Sequence, residues 1–165
     1  LPDSGKLLTE AVAIRPFRLG DEAAFRQLNE EWIKRFFRIE EKDEATFAHP
    51  AQTIIGRGGQ ILMAIVGGEA VGCCALLRTA ESEFEVGKMA VSPRHQGAGI
   101  GKRLLLAAID AGLQAGADRL YLETNHALTP AICLYESVGF KHLDPTRVEP
   151  SRYARADVYM EMFLG

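Results

Sequence analysis

Three glycines, Gly97, Gly99 and Gly101, stand at alternate positions in VSPRHQGAGIGKRLLLAAI, residues 91–109, directly ahead of an apolar helical pattern. A glycine inside regular structure costs roughly 0.5–1 kcal/mol relative to alanine. Three together predict that bare backbone must approach something closely. A strand that passes through a glycine turn into a helix N-terminus leaves free N–H groups and the positive dipole end at one spot, which is a ready anion site. Lys102 and Arg103 in the first helical turn oppose that dipole unless an anion offsets it, so phosphate binding is favoured over a turn chosen only for packing. A nucleotide P-loop needs Gly-x4-Gly-Lys-Ser/Thr. Counting back from Gly101-Lys102 puts Gln96 at the first glycine and Arg103 at the hydroxyl position. A dinucleotide fingerprint starting at Gly97 needs glycine where Lys102 stands. Both fail, which disfavours a nucleotide-hydrolysing domain. What remains is Gln-x-x-Gly-x-Gly at Gln96, Gly99 and Gly101.

The elements that must position this loop follow from hydropathy patterning. AVAIRPFRL, residues 11–19, reads as a first strand, and Asp21 as the N-cap of a helix carrying Phe25, Leu28, Trp32, Ile33 and Phe36 at helical spacing. EKDEATFA is a second short helix closed by His49-Pro50. QILMAIVGGEAVGCCALL gives two strands about a Gly-Gly turn, and SEFEVGKMAV the next strand. After the glycine stretch come a helix fading at Gly116, the strand DRLYLET, the helix PAICLYESVG with proline at its first turn, and terminal strands FKHL and DVYMEMFL. The order β-α-α-β-β-β-α-β-α-β-β predicts an α/β (α+β-like) mixed sheet of about seven strands, mostly antiparallel, flanked by helices. Residues 1–10 read as a mobile tail and 11–165 as one domain.

Bulk properties narrow the class. With 165 residues, 47% hydrophobic and 25% charged, the chain is long enough for one full core. A net charge of −3 gives no general pull toward nucleic acid or an anionic membrane. No run approaches the about 18 apolar residues of a membrane span. Cys73, Cys74 and Cys133 all sit in apolar runs and read as small buried hydrophobes suited to a reducing cytoplasm. The four histidines share no ligand spacing with them, so no metal site is expected.

In these pieces the sequence resembles the GNAT superfamily of acetyl-CoA-dependent N-acetyltransferases, whose cofactor loop is Arg/Gln-x-x-Gly-x-Gly/Ala between a strand and a helix. EFEVGKMAV resembles the family's central strand, RLYLET the strand beside it, and AICLYESVGF its late helix and the opening of the next strand. The match runs over roughly residues 13–163 and is sharpest over 84–140. It implies helices on both faces and a splay between the fourth and fifth strands, with Gly87 as a local site for the bend. It implies that the amides of Gln96, Gly97, Ala98, Gly99, Ile100, Gly101 and Lys102 cradle the pyrophosphate of acetyl-CoA, and that Met89, Ala90 and Val91 offer strand-edge groups to the pantetheine. The backbone near Ala90–Val91 would meet the developing oxyanion.

The implied chemistry needs a base, because an alkylammonium of pKa ~10.4 cannot attack a thioester, and an acid for the departing thiolate. Glu85, six residues before Val91, matches the family's glutamate position; a solvated carboxylate is the competing reading, and Glu123 on the adjacent strand is the second candidate. Tyr135 matches the family's proton-donating tyrosine, against a purely packed core role. Strand alternation puts Gly87 and Met89 on the side of Glu85 and Lys88 on the other, as a structural or ion-pairing lysine. The family's usual pantetheine asparagine falls at Leu128; Asn125 either replaces it or caps the turn after its strand. Trp32, Phe36 and Phe37 read as core. The loop DPTRVEPSRYARAD supplies Arg147, Arg152, Tyr153 and Arg155; its arginines offer guanidinium groups to an acceptor carboxylate or phosphate, or the loop is simply solvated. The acceptor expected is a primary amine of a small molecule or peptide, with no nucleic acid or membrane partner; the resemblance leaves a homodimer open. The competing class is a non-catalytic CoA- or acyl-CoA-binding module of the same fold.

Overall fold

The structure, a computed structural model, describes residues 11–165; the tail expected over 1–10 lies outside the described residues. In chain order the elements are β1 (Ala13–Pro16), α1 (Glu22–Phe36), α2 (Glu41–Ala48), α3 (Pro50–Thr53), β2 (Gln60–Val66), β3 (Glu69–Ala80), β4 (Glu83–Val91), α4 (Ile100–Gln114), β5 (Arg119–Thr124), α5 (Thr129–Val138), β6 (Lys141–His142) and β7 (Val158–Phe163). The strands form one seven-stranded sheet in the order β1-β2-β3-β4-β5-β7-β6. Every neighbouring pair is antiparallel except β4 and β5. This is the mixed, mostly antiparallel sheet that the patterning predicts.

Each face of the sheet has its own core. The apolar stripe of α4 buries Ile100, Leu104, Leu105 and Ala108 against Phe84, Val86, Leu120 and Met160. On the opposite face Phe25, Leu28 and Ile33 of α1 and Phe47 of α2 pack on Met63, Cys73 and Ala75. Each large side chain so buried contributes about 1.5–3 kcal/mol relative to exposure. Three local expectations change. Pro50 opens α3 rather than only closing α2, since a first-turn proline lacks an N–H that would be unbonded anyway. Asp21 is the N-cap residue of α1 as expected, its carbonyl accepting from the Phe25 amide, but its carboxylate caps no helical amide and instead binds the Arg15 guanidinium at 2.7 and 3.1 Å and the Arg18 amide. Cys73 and Cys74 are buried, but Cys133 lies on the exposed side of α5.

The strand that matters most is β4. Its register against β3 steps from Ala75↔Gly87 to Cys73↔Ala90, three residues on β4 against two on β3. One extra residue is a β-bulge, which bends its strand and raises the local twist. The unusual backbone is at Lys88, with φ of 49°, one residue beyond the Gly87 bend expected from sequence. The parallel ladder to β5 pairs only Glu83–Glu85 with Arg119–Tyr121, and beyond it the two strands separate. The bulge also resets the alternation of faces. Phe84, Val86, Met89 and Val91 pack toward α4 and α5, while Ala90 packs with the α1–α2 core. The Lys88 ammonium sits 5.4 Å from the Phe47 ring centroid. Lys88 therefore shares a face with Glu85 and Met89 does not, the reverse of simple alternation.

Candidate active site

The glycine stretch forms a turn over Pro93–His95 that leads into the N-terminus of α4. Gly97 and Gly99 have φ of 80° and 79°, and a Cβ built at either would meet nothing within 4 Å. Their glycine identity answers to backbone conformation, not packing. Gly101 is helical; a Cβ there would lie 3.9 Å from Val91 and 4.0 Å from Leu134, so nothing inside the fold demands a bare backbone. Gln96 holds the turn to β4, donating from Nε2 to the Val91 carbonyl at 3.2 Å, and its Oε1 accepts from Arg35 at 3.4 Å. The first α4 amide with an acceptor is Arg103, bonded to the Gly99 carbonyl. The amides of Gln96 to Lys102 find no acceptor among the described residues. Lys102 and Arg103 are exposed beside them. Unbonded amides at the start of a helix are a geometry that suits an anion.

The separation of β4 from β5 opens a cleft that passes between the two layers. Met89, Leu128 and Tyr135 line it from the α4–α5 side, and Trp32, Phe37 and Lys42 from the α1–α2 side. Glu85, Lys88 and Glu123 face into it from the strands. Burial, reinforced by the nearby Glu123 carboxylate, raises the Glu85 pKa above the usual carboxylate range; Lys42, Lys88 and Arg152 pull it partly back. Glu85 has no hydrogen-bond donor among the described residues. Glu123 differs: its carboxylate accepts from Tyr121 at 3.2 Å and from the Ser151 hydroxyl. Tyr135 packs edge-on against Phe140, with centroids 6.1 Å apart, and burial next to Cys74 pushes its phenol pKa up. It is a packed core tyrosine and a cleft residue together, and at neutral pH it holds its proton.

Along the α1–α2 side of the cleft runs an ion-pair network, of which sequence marks only Lys88 as an ion-pairing residue. Asp43 on α2 is fully buried. Burial alone would raise its pKa, but hydrogen bonds from Arg155 and Lys88 outweigh that and hold the carboxyl at about 2. Arg155 binds both Asp43 oxygens at 2.8 Å and Glu40 at 3.1 Å. Lys88 Nζ reaches Asp43 at 2.7 Å and donates to the Tyr153 hydroxyl at 2.9 Å. Burial lowers the Lys88 pKa, and the Asp43 bond opposes this. Glu40 also accepts from the Ala154 amide at 3.0 Å, so the loop before β7 is fastened to the start of α2.

The expected site residues thus fall into groups. Glu85, Met89, Tyr135, Asn125, Tyr153 and Arg155 line one cleft together with the alternative base Glu123, while Gln96 to Lys102 form the loop at the N-terminus of α4. Asn125 caps the turn after β5, accepting from Ala127 at 2.9 Å and donating to the Arg155 carbonyl at 2.7 Å. Of the arginines, Arg147 is bound to Glu161 and Arg155 to Asp43, and Arg152 stays exposed. Lys88 is ion-paired as expected but faces the cleft. Trp32 and Phe37, expected in the core, form the cleft's apolar wall with ring centroids 6.2 Å apart, and Phe36 is exposed. Lys42, Asp43 and Ser151 were not singled out; in EKDEATFA the charged residues pattern as an ordinary solvated helix face. Among the described residues no cluster of three or more metal-binding side chains occurs, and no helix is long and apolar enough to cross a membrane.

Comparison with known proteins places this architecture. The sequence matches the Acetyltransferase (GNAT) family over residues 25–140. It is 42% identical over 81 residues to the uncharacterised N-acetyltransferase YjgM of Escherichia coli K12, covering 48% of this chain and 47% of that protein. It is 40% identical over 91 residues to the N-alpha-acetyltransferase RimI of Mycobacterium tuberculosis, covering 53% of each. These matches span about half the length of each relative. An acetyltransferase of the GNAT family from Staphylococcus aureus Mu50 superposes with a TM-score of 0.85 at 20% identity, over 94% of this chain and all of that one (100%). The protein yncA from Salmonella typhimurium, solved with acetyl-CoA, superposes with a TM-score of 0.72 at 22% identity, over 94% and 95% of the two chains.

The network predicts how the fold responds to losing its buried anion. Asp43→Ala leaves Lys88 and Arg155 without their shared partner and should destabilise the protein by about 3–5 kcal/mol in urea unfolding. Because the Asp43 pKa lies below its unfolded value of about 3.9, its contribution is complete above that pH and is lost as pH falls toward about 2. That acid segment should be missing from the variant's stability profile. A loss under about 1 kcal/mol, as for an exposed pair, would show that the network does not hold the loop.

Proposed function

Because this chain belongs to the acetyltransferase (GNAT) family, we propose that it transfers the acetyl group of acetyl-CoA to a primary amine of a small molecule or peptide by direct attack in a ternary complex. The observation that carries the reading is the run of amides from Gln96 to Lys102, without acceptors among the described residues, at the N-terminus of α4 beside a cleft. Those amides and the helix dipole suit a diphosphate. Its positions match the loop of the family, and Gly101 keeps side-chain bulk out of the space between Val91 and Leu134.

The rest of the cleft fits the same chemistry. The edge of β4 from Met89 to Val91 has lost its β5 partner, so its main chain can pair with the amide-bearing pantetheine as another strand would. Glu85 takes a proton from the incoming ammonium, directly or through water. A carboxyl raised by burial is closer to the operating pH than an exposed one and accepts that proton more effectively. The amine nitrogen then bonds to the acetyl carbon while the carbon–sulfur bond breaks. A backbone N–H near Ala90–Val91 steadies the oxyanion, and Tyr135 supplies a proton to the departing sulfur. The bonded nitrogen gives its second proton to water, Tyr135 regains its own from solvent and Glu85 releases the one it took, so the products are an acetamide, CoA thiol and one proton. The hydrogen bonds on Glu123 from Tyr121 and Ser151 fit a fixed carboxylate better than a proton carrier, which favours Glu85 as base. Asn125 has both ends of its amide engaged, which favours turn capping over a pantetheine contact. The buried free thiols of Cys73 and Cys74 suit a cytoplasmic protein.

An amine screen at saturating acetyl-CoA, read by thiol release, tests the reading; tight cofactor binding without accelerated release by any amine would favour the binding-module alternative. Two variants test its parts. A Cβ at Gly101 would meet Val91 and Leu134 only at ordinary contact distance, so Gly101→Val should leave the chain folded, with a stability change of about 1 kcal/mol. It should lower acetyl-CoA affinity by at least about tenfold, since blocked charge-assisted hydrogen bonds cost at least that much. Unchanged affinity in calorimetry would remove the phosphate assignment. Glu85→Gln should lower turnover by about 10²–10⁴-fold with cofactor affinity retained. Because the Glu85 pKa is raised in the fold, its ionisation costs stability as pH rises, so the glutamine variant should melt higher than the parent at pH 7. Full activity in this variant would assign the base role elsewhere.

A further inference from the structure

The charges of the acceptor half of the cleft are arranged in two layers. Inside lie the partly buried carboxylates Glu85 and Glu123. Beside them cations gather around one aromatic ring: Lys42, Lys88 and Arg155 approach the Tyr153 ring centroid at 4.7, 4.6 and 4.4 Å, and of the three only Lys42 is exposed at the rim. Two of these three are committed. Lys88 and Arg155 share the buried Asp43, and drawing either away would leave that carboxylate short of a partner at high cost. Lys42 is different. It is exposed, lines the cleft, and forms no ion pair with any described residue. Of the cations acting on Glu85 it exerts the strongest field, ahead of Lys88 and Arg152. Arg152, next to Tyr153 in the chain, is a second exposed cation without a carboxylate partner among the described residues. Trp32 and Phe37 supply an apolar wall in between.

A plain alkylammonium would meet repulsion at this rim before reaching the carboxylates. A zwitterion matches both layers, with its ammonium directed inward to Glu85 and its carboxylate left at the rim. Resting on the acetyl-transfer reading above, we propose that Lys42 is a specificity-determining residue that receives the acceptor's carboxylate, and that the acceptors are free amino acids with apolar side chains. Lys42 can make this charge-assisted bond without leaving any protein anion unpaired.

Matched acceptors that differ only in the carboxylate test the proposal: L-phenylalanine against phenethylamine, and L-leucine against 3-methylbutylamine, with thiol release from acetyl-CoA as readout. The parent protein should acetylate the amino acid of each pair with the higher kcat/KM. Lys42→Ala should raise KM for the amino acids by about tenfold, the usual scale of a lost hydrogen bond to a charged group. It should leave acetyl-CoA affinity nearly unchanged, and the decarboxylated amines should lose far less than the amino acids, only what the altered field on Glu85 takes from both. Lys42→Glu should invert the preference, and Lys42→Arg should restore it. A parent that prefers the decarboxylated amines, or acetylates only peptide N-termini, would overturn this inference and leave acetyl transfer intact. Equal loss for both members of a pair in Lys42→Ala would overturn it as well. If no amine of any kind accelerates thiol release, the transferase reading itself fails, and this inference with it.

Discussion

One additional residue in β4 organises this molecule. The bulge at Lys88 bends the strand away from β5 just after Glu85, so a sheet that is otherwise continuous opens at its centre. A backbone at φ of 49° is costly for a lysine and persists only where the surroundings fix it. Here the fixing comes from Asp43, whose buried carboxylate binds the Lys88 ammonium and the Arg155 guanidinium together. One buried anion therefore ties the bend in β4, the second helix and the loop before β7 into a single unit. The cleft is the space this unit leaves.

Function and stability pull against each other at two places. Glu85 faces the opening without a hydrogen-bond donor among the described residues, beside a second carboxylate, which raises its pKa and burdens the fold when it ionises. The N-terminus of α4 leaves its amides without acceptors and carries Lys102 and Arg103 where the dipole disfavours them. Neither feature helps the empty fold. Under the proposed acetyl transfer both would become favourable, once an ammonium gives up its proton and a diphosphate binds, and such local conflicts are characteristic of working sites.

Much of this was legible from sequence because it depends on local pattern. Strand and helix periodicity predicts the seven strands and the placement of helices, and alternate glycines before an apolar helix mark the turn whose amides are left without acceptors among the described residues. The misses share a different cause. Alternation along EFEVGKMAV assigns Lys88 and Met89 to faces on the assumption of a regular strand, and a bulge is set by pairing with β3, which no single strand reveals. Asp43 looks like any helix-surface acid in EKDEATFA; its burial arises only when the distant Arg155 and Lys88 converge on it. Trp32 and Phe37 read as core because an apolar wall of a cleft and a packed interior have the same helical spacing. The arginine-rich loop patterns as a source of cations or as a solvated segment, and which guanidinium groups stay unpaired depends on partners that the loop itself does not contain, Glu161 for Arg147 and the distant Asp43 for Arg155.

If main-chain amides at the start of α4 hold a diphosphate, their own resonances report its arrival. In a ¹⁵N–¹H correlation spectrum titrated with acetyl-CoA, the resonances of Gln96 to Lys102 should move together and saturate together, with the largest downfield shifts in the molecule. Titration with inorganic pyrophosphate should move the same set while leaving the Tyr135 and Glu85 region nearly still. Saturable shifts confined to other parts of the chain, with these amides unmoved, would contradict the account.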